Sequence, residues 1–295
     1  MEKRRLGATD MAVSIIGFGA GEIGYEQTST SVVQRLLESA FDRGMNLVDT
    51  AECYMISEEL LGAAVSHRRS DCYLMTKCGH GADFSLADWD PRLIPLSIER
   101  TLRRLRTDYV DIVHLHSCAL EELQQGDVIA ELQKIRDAGK TRYIGYSGDG
   151  DAALFAIESG AFDTLMVSVS IADQEAIEKV LPMARKSGIG IIGKRPLANA
   201  VWSKQARNPY WQAYRDRLQL LDYDFLRART RDSVERALRF ALATDIHTAL
   251  VGSTTPEHFL EAIEIADRGA LPLAQFEAIR ARWKSVARSD WIGRS

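Results

Sequence analysis

The sequence predicts a single α/β domain, a (β/α)8 TIM barrel running over residues 1–295, and three observations lead there. Short apolar, β-branched runs alternate with longer segments at helical spacing, which implies parallel strands joined by helical crossovers. The alternation gives eight strands and eight helices, the number that closes a sheet without leaving an edge. No linker, low-complexity tract or short repeat divides the chain, and its length suits a barrel that typically needs ~250 residues.

In chain order, the strands are expected at Ser14–Gly17, Asn46–Asp49, Cys72–Lys77, Val110–His116, Tyr143–Ser147, Thr164–Val169, Ile189–Lys194 and Thr248–Val251. Helices are expected between and after them at Ser31–Arg43, Ser57–Ser66, Pro95–Leu105, Val128–Ala138, Asp151–Ser159, Ile177–Ser187, Ser233–Thr244 and Pro256–Asp267. Gly44, Gly139, Gly160 and Gly188 each follow a helical run, where a left-handed cap is favoured. Thr255 followed by Pro256 reads as an N-cap with proline at the first helical position. Before the first barrel strand, Lys3–Val13 contains a Gly-Ala-Thr-Asp turn and is expected as a hairpin capping the barrel floor; Leu273–Ala287 is an added C-terminal helix.

Composition narrows the partners. The formal net charge is −4, which disfavours nucleic acid and anionic membranes. No stretch approaches the ~18 uncharged apolar residues of a membrane span. The basic residues near Met1 have no apolar segment after them, and Cys53, Cys72, Cys78 and Cys118 form no paired framework. A cytoplasmic protein with reduced thiols is expected, and no oligomeric state is assigned.

Gly19-Ala20-Gly21-Glu22-Ile23-Gly24 matches a dinucleotide-binding GxGxxG motif in form. In that motif the third glycine lies in the first turn of the helix, so that the helix end faces a pyrophosphate. Here Tyr25–Thr30 intervenes before helical spacing starts near Ser31, and a glycine turn at a barrel mouth is the better reading.

Active sites of such barrels lie where strands end. The second strand ends in Asp49 with Tyr54 five residues later, the third in Lys77 and the fourth in His114-Leu115-His116. An aspartate at a strand end is usually a turn former, a lone tyrosine usually packing and a lone lysine usually solvated. Their coincidence on three adjacent strand ends fits hydride transfer to a carbonyl. That reaction needs a proton for the oxygen. Tyr54 is placed to give it, Lys77 to lower the phenol's pKa, Asp49 to hold the lysine and His116 to orient the carbonyl.

At this point the chain resembles the aldo-keto reductase family. The resemblance rests on Asn46-Leu47-Val48-Asp49-Thr50-Ala51 with Tyr54, Met75-Thr76-Lys77, Asp108–His116, Tyr143-Ile144-Gly145-Tyr146-Ser147 and Val251–His258, in that order from Leu6 to about Asp267. It implies an NAD(P)H-dependent oxidoreductase reducing an aldehyde or ketone. Tyr54 is the implied proton donor, Lys77 and Asp49 its tuning pair and His116 the carbonyl-orienting residue; His114, two residues deeper, is left to packing.

The seventh strand brings Lys194 and Arg195 to the rim, and the eighth ends in Gly252-Ser253-Thr254-Thr255 at the start of a helix, a place where barrels bind phosphate. The resemblance implies that this region, with Gly19, holds the dinucleotide. Ser147 would meet the nicotinamide carboxamide, His258 the 2′-phosphate end and Glu261 the adenine. Three residues depart from the family pattern: Gly148 for asparagine, Met166 for glutamine and Lys194 for a stacking aromatic. With Lys194 and Arg195 supplying charge, NADP(H) is favoured over NAD(H).

The expected partner is a small-molecule carbonyl compound, with Trp89, Trp202, Tyr210 and Trp211 as candidate pocket walls. Cys53, Cys78 and Cys118 lie within two residues of Tyr54, Lys77 or His116. A thiol–imidazole metal site among them is not expected, because Lys77 brings positive charge and nothing yet fixes the ligands; a thiol made reactive by Lys77 is a lesser alternative. A nucleotide-sensing barrel with little catalysis and a Schiff-base lyase using Lys77 are the competing function classes.

Overall fold

The computed structural model describes residues 1–203, 209–227 and 231–294. Strands β1 (Lys3–Arg5) and β2 (Ala12–Ser14) form an antiparallel hairpin, with Lys3 opposite Ser14. Eight parallel strands then close the barrel: β3 (Ile16–Gly19), β4 (Leu47–Asp49), β5 (Tyr73–Cys78), β6 (Val110–His116), β7 (Thr141–Ser147), β8 (Thr164–Ser168), β9 (Gly190–Lys194) and β10 (Thr248–Val251). They pair in chain order, and β10 returns to β3 with Val251 beside Phe18. This closure rules out the open doubly wound sheet that the GxGxxG-like string imitates.

Side chains alternate across each strand, so one face fills the barrel and the other meets the helices. Val48, Leu74, Val113, Val167 and Val251 belong to the outer core with the helices. Leu47, Met75, Ile112, Met166, Ile192 and Leu250 form the inner layer together with Leu6, Met11 and Val13 of the hairpin. The hairpin therefore plugs the barrel floor, as expected. Each of its three buried apolar side chains is worth ~1.5–3 kcal/mol of burial. Gly7, at φ +56°, is what lets it dock: a Cβ there would lie 2.3 Å from the Gly190 nitrogen.

The same alternation explains the mouth. Two residues beyond the inner apolar layer, the inward positions are Asp49 after Leu47, Lys77 after Met75, His114 after Ile112, Ser168 after Met166 and Lys194 after Ile192. Polar chemistry is thus seated on an apolar plug.

The strands and helices follow the sequence pattern with four exceptions. The first barrel strand starts at Ile16, because Ser14 is used by the hairpin. The glycine-turn reading at Gly21 is corrected: Gly21–Tyr25 is a short helix, whose Gly24 packs against the Tyr54 turn. The segment expected as one helix over Ile177–Ser187 is two, Glu175–Glu178 and Val180–Lys186, with a break at Lys179. Helices Leu120–Gln125, Pro209–Leu221 and Asp224–Arg227 were not expected. Tyr214, Leu218 and Leu221 of Pro209–Leu221 pack with Phe240, Ile279, Trp283 and Trp291 in a second core outside the barrel. Among the described residues, no helix is long and apolar enough to cross a membrane, and all four cysteines are free.

Candidate active site

Asp49, Lys77, Tyr54 and His116 meet at the barrel mouth. Lys77 Nζ donates to Asp49 Oδ2 at 2.6 Å and to the Thr50 carbonyl at 2.8 Å. Its ammonium lies 4.8 Å from the centre of the Tyr54 ring, and that ring meets His116 edge-on at 5.6 Å. Tyr54 is seated by a turn in which its amide donates to the Ala51 carbonyl at 3.0 Å. Glycines make room for it: a Cβ on Gly24 would come within 2.0 Å of the Tyr54 carbonyl oxygen.

Burial dominates the electrostatics. It pushes the Lys77 ammonium down, but Asp49 and Tyr54 together hold its pKa above the ordinary lysine value, so the group stays charged. Burial lifts Asp49 above the usual carboxylate range, with Lys77 pulling it back. Tyr54 is also raised, because its desolvation outweighs the pull of Lys77. Lys77 does pull the phenol's pKa down, as expected, but burial outweighs it and the net shift is upward. A phenol held protonated through neutral pH is a proton reservoir, and Lys77 is placed to stabilise the phenolate once the proton has left. His116 is held neutral, well below the usual histidine value, by burial and the cations around it. Its Nδ1 lies 3.4 Å from Cys53 Sγ. Burial raises the Cys53 thiol to about 11, so the thiol keeps its proton and can donate it to Nδ1, an arrangement in which His116 carries its own proton on Nε2. Cys78 and Cys118 are raised as well, by burial first, so burial works against the reactive-thiol alternative.

His114, as expected, is a buried structural residue. Its Nε2 lies 3.1 Å from Thr164 Oγ1, burial lowers its pKa to about 3, and Gly145 provides the space for its ring.

The four residues line a cavity of about 190 Å³ with Gly19, Ser147, Met166, Lys194, Arg195, Asn199 and Gly252. A groove of about 530 Å³ continues from it through Glu22, Arg195, Asn199, Leu250 and Gly252, which line both. Ser253, Thr254, Thr255, His258 and Glu261 line the groove. The catalytic and cofactor-binding candidates named in the sequence thus all border one continuous space. Their duties differ from expectation in places. The backbones of Gly19 and Gly252 pass closely, a Cβ on Gly252 lying 3.2 Å from the Gly19 carbonyl. Ser253 Oγ is turned into its own loop, accepting from the Thr255 amide at 3.0 Å. Thr255 precedes Pro256 without a side-chain cap, which leaves the first-turn amides of that helix uncapped by a side chain.

Lys194 and Arg195 are not spare rim cations. Lys194 is buried against Asp149 at 3.0 Å, and Asp149 also accepts from the Ser168 amide at 2.7 Å. Arg195 donates to Ser168 Oγ at 3.0 Å and to the Arg294 carbonyl. Gly148 is required by its neighbour: a Cβ there would lie 2.2 Å from the Tyr146 hydroxyl, which donates to the Cys118 carbonyl. The sequence reading missed Asp149, Glu22, Glu26, Asn199 and Arg231. Arg231 lines the groove and pairs with Glu261 at 2.8 Å and Glu264 at 3.0 Å, while Thr254 donates to Glu26 at 3.1 Å. Trp202 borders the groove rather than the catalytic cavity, and Trp89 packs on Gly79 beside His80. Trp211 packs against the outer second core, and the side chain of Tyr210 lies outside the described residues.

A barrel mouth joining a buried Tyr-Lys-Asp-His cluster to a groove at a helix N-terminus defines a barrel oxidoreductase site. The chain belongs to the aldo/keto reductase family, whose model matches residues 15–284. It is 30% identical over 276 residues to an L-galactose dehydrogenase of Arabidopsis thaliana, covering 86% of this chain and 85% of that protein. It is 27% identical over 303 residues to an NADH-specific methylglyoxal reductase of Escherichia coli, covering 89% and 93%. Its fold matches the holo form of an aldo-keto reductase from Bacillus halodurans with a TM-score of 0.81, at 24% identity and covering 98% and 99%.

Proposed function

We propose that this oxidoreductase reduces an aldehyde or ketone to an alcohol with a nicotinamide dinucleotide, Tyr54 supplying the proton. The observation that carries the reading is the buried Tyr54–Lys77–Asp49–His116 cluster at the inner end of a continuous groove. The groove fits the dinucleotide by its donor set: an uncapped helix start after Thr255, Arg195 at the junction of the two spaces, and Ser147 in the inner cavity. When bound, the nicotinamide supplies the hydride. His116 donates from Nε2 to the carbonyl oxygen and fixes its position. Tyr54 transfers its proton to that oxygen as negative charge grows there. Lys77, anchored by Asp49 and Thr50, stabilises the phenolate left behind.

The charges among the described residues lining the groove favour NADH over the NADP(H) expected from the sequence. Three carboxylates, Glu22, Glu26 and Glu261, stand there against two guanidiniums, Arg195 and Arg231. Arg231 is already matched by Glu261 and Glu264, and residues Gly252–Thr255 carry no cation. Among the described residues, the Gly252–Thr255 segment offers a 2′-phosphate no cation and the carboxylates lining the groove outnumber the guanidiniums, so NADH is the proposed coenzyme. The E. coli relative is NADH-specific by name.

The nucleotide-sensing alternative leaves the intact cluster without a role. The lyase alternative needs an uncharged Lys77, whereas its pKa is raised.

The test is fluorescence titration with NADH and NADPH, then turnover with a panel of small aldehydes. NADH is expected to bind at least ~10-fold more tightly, a difference of ~1.4 kcal/mol. Tyr54→Phe is expected to keep nucleotide affinity and lose ~10²–10⁴-fold in turnover. Full turnover by Tyr54→Phe would remove the tyrosine from the chemistry, and tighter NADPH binding would overturn the coenzyme assignment.

A further inference from the structure

Cys53, His80 and His116 come from three different strand ends, yet one ligand atom of each lies within 4.8 Å of the other two. We propose that these three residues form a binding site for a zinc-class divalent transition metal, open to solvent at the fourth position.

The ligand chemistry is right for such an ion, since zinc and cobalt favour thiolate and imidazole together. Zn–S bonds of ~2.3 Å and Zn–N bonds of ~2.0–2.1 Å place sulfur and nitrogen roughly 3.5 Å apart around a tetrahedral ion. Cys53 Sγ and His116 Nδ1 already stand at 3.4 Å, so an ion replaces the proton they share without moving either. His80 closes the remaining distance by turning its ring, which already contacts His116 at 5.2 Å between centroids. On binding, a metal–sulfur bond forms and the thiol proton leaves to solvent. No electron moves.

Two carboxylates hold the ligands in place. Asp88 Oδ2 lies 3.2 Å from His80 Nδ1, the arrangement that orients a metal-binding imidazole and leaves Nε2 for the ion. Glu52, next to Cys53 in sequence, accepts from the Gly79 amide at 3.0 Å and the His80 amide at 3.3 Å, so one side chain ties the Cys53 turn to the His80 backbone. Glu52 is itself anchored on Ser97 and Arg100. Glu52 holds the backbone that carries the ligands, and the Lys77 ammonium donates to Asp49 and the Thr50 carbonyl rather than to a ligand atom.

The ion would hold His116 in the same tautomer that the Cys53 thiol does, with its proton on Nε2. The site is thus compatible with the proposed reduction. Its own evidence is geometric, and it stands or falls separately from that reading.

The test uses Co²⁺ with the purified full chain, under reducing conditions and without nucleotide or carbonyl compound. One equivalent is expected to give a thiolate-to-cobalt charge-transfer band and intense four-coordinate d–d bands, both removed by excess Zn²⁺. Cys53→Ser is expected to abolish the charge-transfer band. Asp88→Asn, which keeps all three ligands, is expected to weaken binding ~10–100-fold. Circular dichroism and a metal-free melting curve establish that each variant is folded. Absence of a thiolate band in the wild type, or its persistence in Cys53→Ser, overturns the site. Equal cobalt affinity in Asp88→Asn overturns the part assigned to His80.

Discussion

Lys77→Met tests the electrostatic core of the site in a way that activity alone cannot. The ammonium that it removes donates to Asp49 and to the Thr50 carbonyl, and Lys77 and Asp49 are 2% and 4% exposed. Methionine keeps most of the volume, so the cost is electrostatic. It leaves a buried carboxylate whose Oδ1 has no hydrogen-bond partner in the structure and whose Oδ2 has just lost its own. Breaking a buried pair from one side typically costs ~3–5 kcal/mol, whereas replacing both members with apolar or neutral groups is often close to neutral. The single variant is therefore expected to lose ~4 kcal/mol at neutral pH, or ~8 °C in melting temperature at roughly 2 °C per kcal/mol for a long chain. Lys77→Met combined with Asp49→Asn is expected to recover ~2–3 kcal/mol of that loss, because no charge remains to be desolvated. Urea unfolding of the four proteins in the cycle measures both numbers. A single-variant loss below ~1 kcal/mol, or strict additivity in the cycle, would mean that the pair is solvated and that burial does not govern this site. Turnover should be lost in both variants alike, since neither has a cation beside Tyr54.

Two further outcomes follow from the same geometry. Burial lowers the pKa of Lys194 from 10.5 to about 8 against the pull of Asp149, so between those values the unfolded chain holds the proton more tightly. Stability should accordingly rise with pH across that window, by up to about 3 kcal/mol relative to Lys194→Met; urea unfolding at both ends of the window, with identical pH dependence in the two proteins, would refute this. Gly24→Ala places a methyl 2.0 Å from the Tyr54 carbonyl and 2.9 Å from Ser57 Cβ. It should cost ~1–3 kcal/mol in stability and, by shifting the Tyr54 turn by up to ~1 Å, ~10²-fold in turnover. Unchanged kcat in a folded variant would show that the Gly21–Tyr25 helix does not position Tyr54.

The barrel was legible because its signal is redundant. Eight repetitions of one strand–helix pattern survive an error of two residues at Ser14, or a helix split at Lys179. The four candidate site residues were legible because strand alternation and a fixed rim convert sequence position into spatial position: Asp49 and Lys77 face inward one layer above an apolar residue, and His116 two layers above Ile112. What escaped belongs to contacts between distant segments. Asp149 becomes the partner of Lys194 only once β7 and β9 flank β8. Arg231 reaches the groove from a helix whose role in the sequence was simply to cover the barrel. The sign of the Tyr54 shift depended on a competition between burial and Lys77 that chain position cannot weigh. The helix Pro209–Leu221 did leave a trace, a proline at its first position and Tyr214, Leu218 and Leu221 at helical spacing, though its packing surface lies outside the repeating pattern.

The hairpin that plugs the barrel floor closes that end with apolar side chains. Leu6, Met11 and Val13 are fully buried against the inner apolar layer, leaving the polar mouth on the opposite side. In the proposed reaction the phenolate must recover its proton by the route through which the alcohol departs. Recharging the acid is thereby coupled to clearing the mouth, and an occupant that lingers there stalls both steps at once.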